Sequence, residues 1–302
     1  MIIKQALFVA TTKLFNNKIK FPQLEAEILL SHIIKKPRVF LFAHPEAELT
    51  QLQITNYQLQ IKKRLRGAPI AYLTGEKEFY GLKFLVNKNV LIPRPETELM
   101  VEEAVKLARR ISTPITFVDV GTGSGCIITS IAKVVIFNFQ FSIFKQFPIF
   151  NFQFIGTDIS KQALAIAKKN AKLHGVEKKI KFINGDLLAP IINSKFKIQN
   201  SKFIILANLP YLTPVQIKNS PTIKHEPRLA LTAGKDGLKY YRKLFIQINK
   251  LPITNYYIFC EIDPSQKTSI RRLAKTILPP HFLEIKKDLR GHNRLAIITS
   301  KR

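Results

Sequence analysis

Carboxylates, cysteine and tryptophan are what this sequence has least of. Its 302 residues hold 20 Asp and Glu against 48 Lys and Arg, two cysteines and no tryptophan. Two cysteines, Cys126 and Cys260, are too few for a disulfide framework, so a reducing, cytoplasmic compartment is expected. The amino terminus lacks a signal-peptide core with a small-residue cleavage pattern. Its Ile3, Ala6, Leu7 and Ala10 suit a helix face instead. Uninterrupted apolar runs are also missing. The nearest to one, 134–155, carries Asn138, Gln140, Lys145, Gln146, Pro148, Asn151 and Gln153, too many polar groups for a bilayer span. The six histidines form no ligand-spaced set, so no metal is expected. What is present is a 46% hydrophobic share, which excludes general disorder, and enough length for two packed domains.

The net charge of +28 suggests a polyanionic partner, nucleic acid or ribosome. Yet 35 of the cations are lysine, alongside abundant Ile, Asn and Phe, as AT-rich coding produces. The first 85 residues hold 13 basic and 6 acidic side chains and the remainder 35 and 14, so no single arm carries the charge. Against that background the few acids are conspicuous.

Residues 1–75 read as a small all-α domain. Leu24, Ile28 and Leu29 recur at helical spacing, as do Ile54, Leu59, Ile61 and Leu65, and Gly67-Ala68-Pro69 stops the last helix. A β-hairpin linker follows over 76–91, with Tyr80-Gly81 at its turn. From 92 to 302 strands and helices alternate. Strands are expected at 116–120, 152–157, 180–183, 203–207, 256–262, 282–286 and 294–299. This is an α/β pattern, a mainly parallel sheet with helices on both faces. IFNFQF occurs at 136–141 and again at 149–154, and NSKF at 193–196 and 200–203. These read as tandem insertions, and the strict Phe alternation of the first, within a Phe-rich insertion at about 135–152, favours a hairpin.

The chemistry is concentrated at strand ends. The apolar strand before Asp119 runs into Gly121-Thr122-Gly123-Ser124-Gly125 and then a helix at 127–133. Such a turn brings backbone N–H groups close to a ligand. No Lys-Ser/Thr follows, which excludes a P-loop. Asp158 ends the next strand, where a carboxylate suits ribose hydroxyls, and Ser160 suits a helix cap. Asp186 follows the third, suited to an adenine amino group with Leu187 on the ring. Three acids at successive strand ends line one crevice and point to a nucleoside-type ligand. The fourth strand ends in Asn208-Leu209-Pro210-Tyr211, with an amide, directed carbonyls and a flat ring, suited to a planar NH₂ group.

The Asp119–Gly125 loop with Asp158 and Asp186 resembles the class I S-adenosylmethionine-dependent methyltransferases. The whole chain resembles the peptide chain release factor glutamine methyltransferases, the HemK/PrmC family. The matching blocks are GAPIAYLTGEKEFYGLKF (67–84), VLIPRPETE (90–98), VDVGTGSGCI, TDIS, EPRLALTAGKDGL (226–238) and DLRGHNRLAII (288–298), in the family's order. The resemblance implies a Rossmann-like class I methyltransferase domain with a seven-stranded mainly parallel sheet. It implies S-adenosyl-L-methionine as cofactor, held by Asp119, Gly121, Thr122, Gly123, Ser124, Gly125, Asp158, Asp186, Leu187 and Asn208. It implies methylation of the glutamine amide in the Gly-Gly-Gln loop of a peptide chain release factor. Asn208, Pro210 and Tyr211 would be catalytic. Asn208, Leu209, Pro210, Tyr211, Arg94, Glu96 and Glu226 would bind substrate, with the helical domain recognising the release factor. A monomer is expected, with ribosome proximity an open question. One departure stands out: the family's usual tetrapeptide is Asn-Pro-Pro-Tyr, and here residue 209 is Leu. Asn-Leu-Pro-Tyr also occurs in ribosomal RNA adenine dimethyltransferases, which leaves nucleic-acid adenine methylation as an alternative. A non-catalytic cofactor-binding module is a third.

Overall fold

The change of periodicity near residue 76 is also where the chain divides. The structure, a computed structural model, describes residues 1–140, 152–193, 201–220 and 223–301, with the backbone alone at 138–140. It splits into two units, Met1–Glu76 and Lys77–Arg302.

The first unit is helical: α1 (Ile3–Asn16), α2 (Pro22–Ile34), α3 (Arg38–Ala43), α4 (Gln51–Leu65) and α5 (Ile70–Thr74). Ile3, Ala6, Ala10 and Leu14 of α1 meet Ala26, Leu29 and Leu30 of α2 and Tyr57 and Ile61 of α4. Leu24 and Leu59, expected on these apolar stripes, are exposed. The stripe of α2 instead begins at Ala26, where a small side chain admits close helix packing. The buried Glu27 pairs with Arg38 at 2.5 Å and accepts from Gln23 Nε2, so its charge is compensated.

β1 (Glu76–Phe79), whose first residue ends the first unit, and β2 (Leu82–Leu85) open the second, joined by Tyr80 and Gly81 at φ 52° and 69°. Both central residues at positive φ make the turn that matches strand twist. Then come α6 (Glu98–Ala108), β3 (Ile115–Val120), α7 (Cys126–Gln140), β4 (Phe152–Asp158), α8 (Lys161–Leu173), β5 (Ile180–Asn184), α9 (Ala189–Ile192), β6 (Lys202–Ala207) and α10 (Pro214–Lys218). The unit closes with α11 (Lys239–Ile248), β7 (Tyr256–Glu261), α12 (Lys267–Ile277), β8 (His281–Lys287) and β9 (Asn293–Ser300). Every expected strand is present, its ends within one residue of expectation. The seven larger strands form one sheet in the order β5-β4-β3-β6-β7-β9-β8, parallel except at β9, which runs antiparallel to both neighbours.

The pleat sorts side chains to two faces. Val118, Val120, Ile205, Ala207, Ile258 and Cys260 pack with Leu244 and Phe245 of α11 and Ile270 of α12. Phe117, Ile204, Leu206 and Phe259 pack with Met100 and Val101 of α6 and Ile128 and Ile131 of α7. By that parity Asn208, just past β6, and Glu261, ending β7, belong to the α6 face. The strand order reverses between β3 and β6, so the crevice belongs outside their carboxyl ends.

The Phe-rich repeat corrects an expectation. Its first copy forms no hairpin: 136–140 continue α7, because an apolar helix face already packed on the sheet favours further helical turns over an isolated ribbon. In the second copy Phe152 and Phe154 enter β4, where Phe154 stacks on Phe117 at 5.3 Å. Residues 141–151, and 194–200, which take in most of the first NSKF copy and the start of the second, lie outside the described residues. No helix among the described residues is long and apolar enough to cross a membrane.

Candidate active site

The glycine loop is tied to its surroundings by backbone. Gly121 and Thr122 N–H donate to Thr157 O, and Gly125 N–H to Thr122 O. Gly121 has φ +71°, which favours glycine, and a Cβ there would stand 3.1 Å from Leu209 Cδ2, a tight fit. The loop's own side chains are turned inward. Thr122 Oγ1 donates to Asp119 Oδ2 at 2.6 Å. Ser124 is buried, and so is the Cys126 thiol, whose pKa burial pushes up to about 12. Ser124 O also accepts from Asn170 Nδ2. Asp119 is fully buried, and burial raises its pKa to about 7. Its place is beneath the loop, holding Thr122, rather than on the crevice surface where its strand-end position led us to expect it.

Asp158 fits the crevice better. Its Oδ2 accepts from Gly123 N–H at 2.9 Å and its Oδ1 from Ser160 N–H at 2.8 Å. Each oxygen keeps an unused lone pair, and the side chain is only half-buried, so two hydroxyls find acceptors there. A Cβ built on Gly123 meets nothing nearer than Gly121 O at 3.9 Å, which leaves the loop open on that side. A ribose-bearing group therefore fits the Gly123–Asp158 edge. Ser160 caps α8 through Ala163 N–H, as its position suggested. Asp186 forms an ion pair with Lys243. Leu187 sits at φ 54°, with only 7% of its surface exposed among the core side chains of α9, and so offers little face to a ring.

The second half of the crevice is a cavity of about 150 Å³ lined by Arg94, Asn208, Leu209, Pro210, Tyr211 and Glu261, among others. Asn208 Nδ2 donates to Thr97 Oγ1 at 3.0 Å, and no described residue donates to its Oδ1. Thr97 Oγ1 donates to Glu261 Oε2 at 2.6 Å, and the Tyr211 hydroxyl to Glu261 Oε1 at 3.2 Å. Burial, with Glu96 nearby, raises the Glu261 carboxyl to about 7. Burial likewise pushes the Tyr211 hydroxyl up. Leu209 restores the backbone N–H that proline lacks, beside the buried Tyr241 hydroxyl, whose one hydrogen goes to the Glu261 carbonyl. Gly237, at φ +69°, is pressed against the Tyr211 carbonyl and Gln266 Nε2, leaving no room for a Cβ. The GKDGL segment thus shapes the Tyr211 backbone.

Arg94 donates to Glu226 Oε1 at 2.5 Å, while Glu226 Oε2 accepts from Ile92 N–H. Glu226 is buried behind Arg94 and does not line the cavity; Glu96 is not among the lining residues either. Thr97 and Glu261 were not singled out from the sequence. Glu261 carried the signal used for the other acids, a carboxylate at the end of an apolar strand. A larger open depression of about 480 Å³, lined by Arg271, Lys275, His281 and Lys301 among others, lies at the opposite rim of the sheet, where His281 pairs with Ser300. It holds none of these motif residues.

Comparison with known proteins sets this geometry in context. The model of the PrmC N-terminal domain matches residues 5–75 and that of a methyltransferase domain residues 111–235. A release factor glutamine methyltransferase of Thermodesulfovibrio yellowstonii is 33% identical over 93% of this chain and 94% of its own length. A bifunctional methyltransferase of Rickettsia bellii is 32% identical over 98% of this chain, which spans about half (54%) of that protein's length. Among solved structures, the human METTL16 catalytic domain in complex with MAT2A 3′UTR hairpin 1 shares the fold, with a TM-score of 0.54, 12% identity and 90% of each chain covered.

Proposed function

The chain belongs to the release factor glutamine methyltransferase family, and from that premise we propose that it methylates the side-chain amide nitrogen of the Gly-Gly-Gln glutamine in a peptide chain release factor. S-adenosyl-L-methionine is the methyl donor, and when bound it supplies a methyl carbon made electrophilic by a positively charged sulfur. Asp158 and the open face of the Gly123 loop hold its ribose, and Asp186 meets its adenine.

The observation that carries this reading is the orientation of Asn208. Its Nδ2 is spent on Thr97, so its Oδ1 is the free acceptor at the cavity. Asn208 Oδ1 and the Pro210 carbonyl take the two amide hydrogens of the substrate glutamine. Holding both fixes a weakly nucleophilic nitrogen and favours the state in which positive charge grows on it. The Tyr211 ring packs on the amide plane. Arg94 stands at the rim with its charge matched by Glu226, so it adds little repulsion to the developing cation. The protein partner is the release factor, recognised by the helical unit, and the enzyme acts as a cytoplasmic monomer.

The test is methyl-label transfer to purified release factor and to ribosomal RNA, side by side. Label in the factor's glutamine is expected. Label in RNA alone overturns the reading.

A further inference from the structure

Glu261 is a buried carboxylate that touches neither of the two acceptors assigned to the substrate amide. Its bonds nevertheless decide how one of them is turned. A threonine hydroxyl has one hydrogen to give. Thr97 gives it to Glu261 Oε2 at 2.6 Å, where an ionised carboxylate only accepts. Thr97 Oγ1 then meets Asn208 only as an acceptor, so Asn208 must present its NH₂ group, at 3.0 Å. The amide is planar, and turning Nδ2 toward Thr97 turns Oδ1 toward the cavity. The same carboxylate takes the Tyr211 hydroxyl on its other oxygen.

The fold explains how these residues meet. β6 and β7 are neighbours, so their carboxyl ends place Asn208 and Glu261 side by side on the α6 face. Thr97 precedes α6 and drops between them, 2% exposed. The α11 residue Tyr241 binds the Glu261 backbone carbonyl from the opposite face.

We propose that Glu261 is a positioning residue for methyl transfer: through the Thr97 hydroxyl it fixes the Asn208 amide with Oδ1 toward the substrate, and through the Tyr211 hydroxyl it fixes the ring. The inference rests on the reading of Asn208 as a substrate acceptor. It also makes the reaction pH-dependent. The charged and titratable groups facing Glu261 are Glu96 beside Thr97, Tyr211 after β6, Arg294 of β9 and the Tyr241 hydroxyl of α11. Burial is the largest influence and raises the carboxyl to about 7. Above that value Glu261 is acceptor-only and the relay has one polarity. Below it, the added proton lets Thr97 point either way.

The experiment compares wild type, E261Q, T97V, T97S and the E261Q/T97V double variant with release factor as substrate. E261Q and T97V should each lower kcat by about tenfold to a hundredfold, as misorientation in an active site does. The release-factor KM and the cofactor Kd should stay within about twofold. The double variant should be no worse than the poorer single one, because both break one chain of bonds. T97S, which keeps the hydroxyl, should recover most of the loss. Wild-type kcat should rise with pH through about 7, and T97V should lose that rise. Thermal melting checks folding; if E261Q does not fold, the near-isosteric T97V decides alone. An active wild type with undiminished E261Q or T97V, or multiplying effects in the double variant, overturns this inference only. A wild type that methylates no release factor overturns the functional reading and this inference together.

Discussion

Over the ends of β3 and β4 the crevice wall is main chain; over the ends of β6 and β7 it is side chain. In the first half, Gly121, Thr122 and Gly125 are fixed by carbonyls of the loop and of β4, and Asp158 holds two backbone N–H groups. The Thr122 hydroxyl is used up beneath the loop, and the Ser124 side chain is buried there. In the second half, Thr97, Asn208, Tyr211 and Glu261 hold one another across 50 to 164 positions of sequence. On the proposed function, a wall of backbone suits a cofactor that must be gripped whichever protein is methylated. A wall of linked side chains sets donor and acceptor directions, which is what discriminating one amide demands.

This contrast can be broken. If the side-chain half sets the rate, Asn208→Ala should cut kcat by at least about a hundredfold and leave cofactor affinity nearly unchanged. A similar loss in cofactor Kd would erase the division. If the backbone half grips the cofactor, Asp158→Ala should weaken cofactor binding by about tenfold to a hundredfold in titration calorimetry, with a smaller effect on kcat at saturation. Gly237→Ala tests whether the Tyr211 backbone is held from behind. It should lower stability by about 1–3 kcal/mol in denaturant titration, since both φ and the Tyr211 carbonyl oppose a Cβ. Ser160→Ala should cost least, about 1 kcal/mol of stability through the lost α8 cap. Activity should be unmoved, because Asp158 uses the backbone N–H of residue 160.

The central strands β3, β6 and β7 were legible because each is a mainly apolar run with Asp119, Asn208 or Glu261 at or beside its carboxyl end, and the alternation of strands with helices implied parallel order. The loop at 119–125, Asp158, Ser160 and the Asn208–Tyr211 segment were legible because each acts within a few residues of itself. What the sequence hid was inward orientation and distant partnership. Asp119 and Asp158 look alike in sequence, yet one is sealed under the loop and the other stands at the edge. Glu226 looked like a crevice residue, but it reaches the site only through Arg94. Thr97 sits inside a recognisable block, but nothing local says its hydroxyl lies between Asn208 and a carboxylate 164 residues on.

The duplicated hexapeptide leaves its own lesson. Five residues of one IFNFQF copy are helical in α7, while the end of the other copy is extended in β4. The neighbourhood, not the motif, chose the conformation. The second copy enters the sheet at the amino end of β4, where Phe152 stands six residues from Asp158 and on the opposite rim. The length of chain before Phe152 is thus set at one rim of the sheet, while Asp158 holds the glycine loop at the other.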